Sequence, residues 1–347
     1  LPLSNCGVVS LDFTGQKGIA TAIGHAPLVA MIDPGMGSVL AIAESLTNIL
    51  WAPLTAGLSS VSLSANWMWA CNNAGEDARL YEAVQACSEF ATALGINIPT
   101  GKDSLSMKQE YPEGKVTAPG TVIITAGGQC EAVTQIVTPE LKSEGGDLYY
   151  VDFSKAPKAL GGSAFAQLLN RIGTVVPKVT DARYFKKAFN EIQACIKSDL
   201  ISAGHDISTG GLITTLLEMC FPTPKAGMAL KLDAIEAKDW VELLFSENPG
   251  VILQSKENLS VLLSLSGVDC ISIGRMTEDE ILHLQWGNEK VIYAIPALRD
   301  LWYKTSADLD AHQTQNGKAQ ERFENYKHQA LHFNFPATFT GIPKVDP

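Results

Sequence analysis

The chain has 347 residues, 46% hydrophobic and 18% charged, with 26 basic against 37 acidic side chains and a formal net charge of −11. At roughly 100–200 residues per domain this length predicts two domains, and the apolar content excludes wholesale disorder. So acidic a surface repels polyphosphate chains and anionic bilayers, which excludes a dedicated nucleic-acid or membrane binder but not a small phosphorylated ligand held by local donors.

In chain order, CGVVSLDF (6–13) reads as a strand and GSVLAIAESLTNILWA (37–52) as a helix. VSLSANWMW (61–69) reads as a strand running into a loop. EDARLYEAVQACSEFATAL (76–94) reads as a helix with Tyr81, Val84, Phe90 and Leu94 on one face, capped by Asn73 with Glu76 three residues on. INIPTGKDSLSM and TVIITAGGQC follow as strand material. The polar, turn-rich stretch 130–146 is the natural boundary. Beyond it come a strand, LYYVDF, helical material over 184–198, a strand–loop–helix unit at 198–220, and strands in PGVILQ, CISIGRM and EKVIYAIP. This alternation predicts an α/β (α+β) fold with domains at 1–140 and 141–300. Residues 301–347 read as a peripheral helix and an exit linker, TGIPKVDP. No internal repeat, spanning apolar run or secretory leader is evident. Seven scattered cysteines without a C-x-x-C pair read as free, mostly buried thiols of a reducing compartment. The start at Leu1-Pro2, without methionine, reads as a piece of something longer.

Three glycine-bearing loops could carry chemistry. Gly101-Lys102-Asp103-Ser104 nearly imitates a P-loop, but five residues separate Gly95 from Gly101 where four are required, and Asp103 replaces the hydroxyl residue. What remains is a cation, a carboxylate and a hydroxyl beside a glycine, either a polar-substrate loop or a solvated turn. His205-Asp206-Ile207-Ser208-Thr209-Gly210-Gly211 precedes an apolar helix. Backbone amides there attract anions and Asp206 could ligate a hard cation; equally, Ser208 or Thr209 could simply cap the helix. In Leu160-Gly161-Gly162-Ser163, Ser163 as an ordinary N-cap is sufficient.

In the 37–52 helix, Glu44 and Asn48 lie four apart on one face, and Glu44 is its only charge. A helix apolar nearly all round is buried, and a buried carboxylate needs a partner, for which a metal is one candidate; a solvated polar face is the other reading. The histidines form no site by spacing. His328 and His332 share a polar tail, and His25 reads as a loop residue. No G-x-S-x-G, H-E-x-x-H or G-x-G-x-x-G pattern occurs.

Taken together, AESLTNIL, SANWM, GEDARLYEAV, LGINIPTGKDSLSM, LGGSAFAQ and GHDISTGGL resemble the phosphoribosylformylglycinamidine synthase family in its large, single-chain form. The resemblance covers nearly the whole chain and implies the second synthetase half, with two subdomains of the aminoimidazole-ribonucleotide-synthase type. It implies part of a cytoplasmic purine-biosynthetic ligase that uses ATP and glutamine to convert formylglycinamide ribonucleotide to its amidine. ATP activates the formylglycinamide oxygen and ammonia displaces it. The missing partners would be the first synthetase half, with the catalytic histidine, and a glutaminase domain following residues 301–347. No catalytic residue is therefore expected here, and the isolated piece is expected to be inactive.

The resemblance places Mg²⁺ ligands at Glu44, Asn48, Asp206 and Asn5, and auxiliary ADP or ATP contacts at Ser208, Gly210 and Gly211. It places substrate and catalytic-ATP contacts at Asn66, Gly101, Lys102, Asp103 and Ser104. Two positions depart from the family: Asn5 stands where an aspartate is common, and Thr209 replaces an aspartate in the Gly-Gly loop. Each removes a negative charge from the auxiliary site. Family modules pair through their N-terminal sheets, so a homodimer is expected of the isolated piece. The rival readings are a non-catalytic nucleotide-binding scaffold and a free-standing aminoimidazole-ribonucleotide-synthase-like enzyme.

Overall fold

The computed structural model describes residues 3–13, 15–328 and 338. In the first half, β1 (Cys6–Ser10) and β2 (Gly18–His25) precede α1 (Pro27–Ile32) and α2 (Pro34–Ile49). Then come β3 (Val61–Met68), α3 (Glu76–Leu94), β4 (Asn97–Ser104), the ribbon β5 (Lys108–Tyr111) and β6 (Gly114–Thr117), and β7 (Thr121–Cys130). β1, β2, β7, β3 and β4 form one sheet in that order, antiparallel except for β3–β4.

The second half runs β8 (Asp147–Asp152), α4 (Ala164–Leu168), α5 (Ala182–Lys197), β9 (Ala203–Ile207), α6 (Gly211–Cys220) and β10 (Gly227–Lys231). It continues with α7 (Trp240–Phe245), β11 (Gly250–Ser255), α8 (Leu259–Leu265), β12 (Ile271–Thr277), β13 (Ile281–Trp286), β14 (Glu289–Ala294), α9 (Ile295–Gln313) and α10 (Lys318–Asn325). Its seven strands form a second sheet, β14-β13-β10-β12-β8-β11-β9. Among the described residues no helix is long and apolar enough to cross a membrane.

Alternation explains how each sheet is covered. Ala20 and Ala22 in β2, Val122, Ile124 and Ala126 in β7, and Leu63 and Ala65 in β3 are buried under the helices. β8 is buried on both faces: Tyr149 and Val151 join one core, Leu148 and Tyr150 the other. The first core also contains Ile42 and Leu46 of α2, Phe90 of α3 and Phe185 and Phe189 of α5, so it runs continuously from one sheet to the other. Gln193 of α5 stitches this contact, donating to Leu50 O (2.6 Å) and Ala52 O (2.8 Å) and accepting from Leu54 N (2.8 Å).

Several local expectations change. α3 buries Ala83, Cys87, Phe90, Ala91 and Leu94, whereas Tyr81 is 71% and Val84 43% exposed. At roughly 100° per residue, positions 81 and 90 lie on opposite sides of a helix. Asn73 does not cap α3. Gly75 does so in a left-handed conformation (φ 83°), while Asn73 Nδ2 bonds Ala70 O and Glu76 accepts from Trp69 Nε1. Gly101–Ser104 lies within β4, in line with the strand reading of INIPTGKDSLSM and against a free loop, because β3 pairs with it in parallel. Strands β2, β6, β10 and β13 and helices α1, α7 and α8 stand where no element was expected. Ser163 does cap α4, accepting from Ala166 N. All seven cysteines are free, and Cys87, Cys130, Cys195 and Cys220 are buried. His328 is exposed after α10; His332, Leu1-Pro2 and the TGIPKVDP segment lie outside the described residues.

Candidate functional site

The site grows out of α2. Asp33 caps it, accepting from Met36 N, and Pro34 occupies the first turn where its missing N–H costs nothing. Every residue from Gly37 to Ile49 is buried except Glu44, which is half-buried at a cleft. Glu44 Oε2 accepts the backbone N–H of His25 at 2.7 Å. β2 can approach so closely because residue 24 is glycine: a Cβ there would lie 2.2 Å from Ala41 O and 2.4 Å from Ser45 N. His25 is thus the end of a strand, not a loop residue. One turn on, Asn48 donates Nδ2 to Ile23 O (2.8 Å), and its Oδ1 is buried without a partner. Burial pushes the Glu44 carboxyl up to about 8; the His25 amide works against the shift, and Asp206 and Glu247 add to it.

β9 brings Asp206 beside it. One oxygen, Oδ1, accepts from Asn5 Nδ2 at 3.0 Å; the other, Oδ2, is buried without a partner. His205 lies between two carboxylates, Nδ1 3.2 Å from Asp206 Oδ1 and Nε2 2.9 Å from Glu218 Oε2. Burial disfavours charge on the imidazole, yet the two carboxylates outweigh it and lift His205 to about 9. Burial likewise pushes Asp206 up, but His205 and Asn5 hold it below the usual carboxylate range.

After β9, Ser208–Gly211 turns into α6 with Gly210 (φ 92°) and Gly211 (φ 74°) left-handed. Neither Ser208 nor Thr209 caps the helix. Gly210 is the cap residue and has no side chain to offer. Glu247 fills that role: its Oε1 accepts from Gly210 N at 2.8 Å and from Ala164 N, at the start of α4, at 2.9 Å.

These segments enclose a cavity of about 580 Å³ whose polar wall includes Asn5, Glu44, Asn48, Ser208, Thr209 and Gly210. Phe165, stacked on Phe245 at 4.8 Å, and Trp302 of α9 form its aromatic side. A second lobe of about 320 Å³ shares Glu44, Ser208 and Thr209 and is walled by Val29, Leu40, Pro177 and Pro249. Asn66 and Gly101–Ser104 line neither lobe. They lie together on adjacent strands of the first sheet, Asn66 opposite Lys102, with Gly101 so close that a Cβ would meet Ala65 O at 2.0 Å. Gly211 packs behind the turn, where a Cβ would be 2.7 Å from Leu244 O.

The sequence-predicted residues therefore fall into two groups, one around the cavity and one on β3–β4. Glu247 and Glu218 carried no motif and escaped sequence reasoning. The signal for His25 was Gly24, a glycine inside an alternating run. Among the described residues no group of three or more His, Cys, Asp or Glu side chains is assembled around a metal site. The donor set here is mixed, two carboxylates (Glu44, Asp206) and two amides (Asn5, Asn48). All-oxygen donors of this kind suit a hard divalent cation, and the unpartnered Asn48 Oδ1 and Asp206 Oδ2 are two that still lack one.

Comparison with known proteins agrees with this architecture. Residues 1–129 match the FGAR-AT PurM_N-like domain and residues 152–287 the C-terminal domain of AIR synthase related proteins. The chain is 42% identical over 324 residues to the probable chloroplastic/mitochondrial phosphoribosylformylglycinamidine synthase of Arabidopsis thaliana, covering 89% of this chain and 22% of that protein. It is 37% identical to phosphoribosylformylglycinamidine synthase of Homo sapiens over 90% of this chain and 24% of that protein. The chain thus spans less than a quarter of the length of either relative. Its fold matches Thermotoga maritima PurL, a structure complexed with FGAR, with a TM-score of 0.67 at 14% identity, over 85% of this chain and 48% of that one. Over its two sheets and their helices, the chain is an FGAR-AT PurM_N-like domain followed by an AIR synthase related C-terminal domain, similar in sequence to part of phosphoribosylformylglycinamidine synthases.

Proposed function

We propose that this chain is one synthetase half of an ATP- and glutamine-dependent ligase that converts formylglycinamide ribonucleotide to formylglycinamidine ribonucleotide in purine biosynthesis, and that it holds an auxiliary ADP or ATP with Mg²⁺. One observation supports the auxiliary site: Asn5, Glu44, Asn48, Ser208 and Gly210, drawn from three separated segments, line one cavity, Asp206 lies beside it bonded to Asn5, and Asn48 Oδ1 and Asp206 Oδ2 are buried without partners. Glu44, Asn48 and Asp206, with the Asn5 amide oxygen, would hold the cation; the Ser208–Gly211 turn would face the phosphates. Bound there, Mg²⁺ supplies positive charge that offsets the phosphate oxygens. The polypeptide's own part is structural: His25 N–H and Asn5 Nδ2 fix the carboxylates of Glu44 and Asp206 in place.

On β3–β4, Asn66 with Gly101, Lys102, Asp103 and Ser104 would contribute to substrate and catalytic-ATP binding, completed by a first synthetase half. A glutaminase would supply ammonia, and in the absence of the other half the exposed first sheet would pair with a second copy. Domains at 1–140 and 141–300, with 301–347 leading to the glutaminase, accord with this scheme, as does a cytoplasmic setting.

Native mass spectrometry of the purified chain should find co-purified ADP and Mg²⁺. Finding neither, together with no thermal stabilisation by Mg²⁺ and ADP, would overturn the auxiliary site. Incubation with formylglycinamide ribonucleotide, ATP and ammonia should release no amidine product from the chain alone; turnover would overturn its dependence on the other half.

A further inference from the structure

Two glycine-bearing turns that would each present amides to a phosphate are already occupied by a carboxylate of the chain itself. Oε1 of Glu247 accepts from Gly210 N (2.8 Å) and Ala164 N (2.9 Å), at the starts of α6 and α4. The partial positive charge at the start of α6 is therefore neutralised from within, and the Ala164 amide is taken up as well. The rest of the lining is no more welcoming to a bare anion. Glu218 and Glu247 line the two lobes beside Glu44, no Lys or Arg among the described residues does so, and His205 is already engaged by Asp206 and Glu218, leaving Glu247 as the carboxylate with no basic partner. Two polar atoms nevertheless await a ligand: Asn48 Oδ1 (the residue 6% exposed and lining the cavity) and Asp206 Oδ2 (1% exposed), both without a partner. Both are oxygens, and an oxygen that cannot donate asks for a cation.

We propose that Glu247 is a built-in counter-anion that makes nucleotide binding in this cavity obligatorily dependent on a divalent cation. This rests on the reading of the cavity as a nucleotide site. Glu247 ties the two turns together at a fixed spacing while removing their affinity for metal-free phosphate. A nucleotide then enters only with a cation whose charge outweighs the Glu247 carboxylate and whose coordination satisfies Asn48 and Asp206. Glu247 thus acts as a specificity-determining residue, selecting the metal complex of the nucleotide over the free anion.

The test is isothermal titration calorimetry of the chain with ADP, in Mg²⁺ and in EDTA, after removal of co-purified ligand. The wild type should bind ADP in Mg²⁺ and lose about tenfold or more in EDTA, the size expected when the Glu247 carboxylate faces the ligand at short range. Glu247→Gln keeps an acceptor for both amides but removes the charge, and should bind metal-free ADP about tenfold or more tighter than wild type. Thr209→Lys, at an exposed position shared by both lobes, should relax the metal requirement in the same direction and serves if Glu247→Gln does not fold. Wild type that binds ADP equally in Mg²⁺ and EDTA would overturn the proposal while leaving the nucleotide site intact. A folded Glu247→Gln with the wild-type metal requirement would overturn the assignment to Glu247. Wild type that binds ADP in neither condition would overturn the nucleotide reading and this proposal with it.

Discussion

Glu44 sits on a buried helix with its carboxyl raised to about 8 by burial, and this has a direct thermodynamic consequence. The unfolded chain releases this proton near the ordinary value of 4.5, while the folded chain keeps it until about 8. The folded state is therefore favoured below the unfolded value, and that advantage is lost as pH rises through about 8, by at most about 1.4 kcal/mol per pH unit. In EDTA, the melting temperature of the wild type should fall between pH 5 and pH 8 more steeply than that of Glu44→Gln, measured by differential scanning fluorimetry; parallel curves would count against a protonated buried Glu44. His205, raised to about 9, loses its own contribution higher up the scale and does so in both proteins. Asn5 provides the second residue-level prediction. Its amide donates to Asp206 where a carboxylate could only repel. Asn5→Asp should therefore lower the melting temperature in EDTA and widen the stabilisation produced by millimolar Mg²⁺. An unchanged response to Mg²⁺ would count against residue 5 in the proposed cation site.

Among the elements, α2 and β2 set the geometry of the site, and Gly24 sets their distance. With Ala41 O 2.2 Å from any Cβ, Gly24→Ala must push the strand off the helix and pull His25 N–H away from Glu44. Overpacking of this kind costs on the order of 1–3 kcal/mol, readable by urea denaturation, and should also weaken stabilisation by Mg²⁺. α5 joins the halves through Gln193. Gln193→Ala leaves Leu50 O, Ala52 O and Leu54 N buried without partners and should destabilise the chain by about 3 kcal/mol in the same assay. Much at this scale was readable: the near-absence of charge in α2 announced its burial, and alternation marked β3 and β7. The failures have local causes. Tyr81 and Val84 are apolar enough to count towards a face, but the side they occupy meets solvent. The 101–104 stretch carries a loop's composition inside a run that reads as strand, and β3 alongside it decides for the strand.

For the whole molecule, the decisive feature is the core that passes from the first sheet through α2, α3 and α5 to β8 and β11. Two halves sharing one apolar core should unfold together. Calorimetry of the chain is expected to give a single transition with equal calorimetric and van't Hoff enthalpies, and two resolved transitions would mean the halves are thermodynamically separate. Sequence alone determined the class of fold and the positions of most elements, and singled out Glu44, Asn48 and Asp206 as candidates, because periodicity and residue chemistry are local properties of the chain. Only the tertiary structure decided that Asn5 reaches Asp206 across 201 positions, that His25 fixes Glu44, and that Glu247 joins two helix starts. Those contacts depend on how sheets and helices cross in space, and no spacing along the chain encodes them.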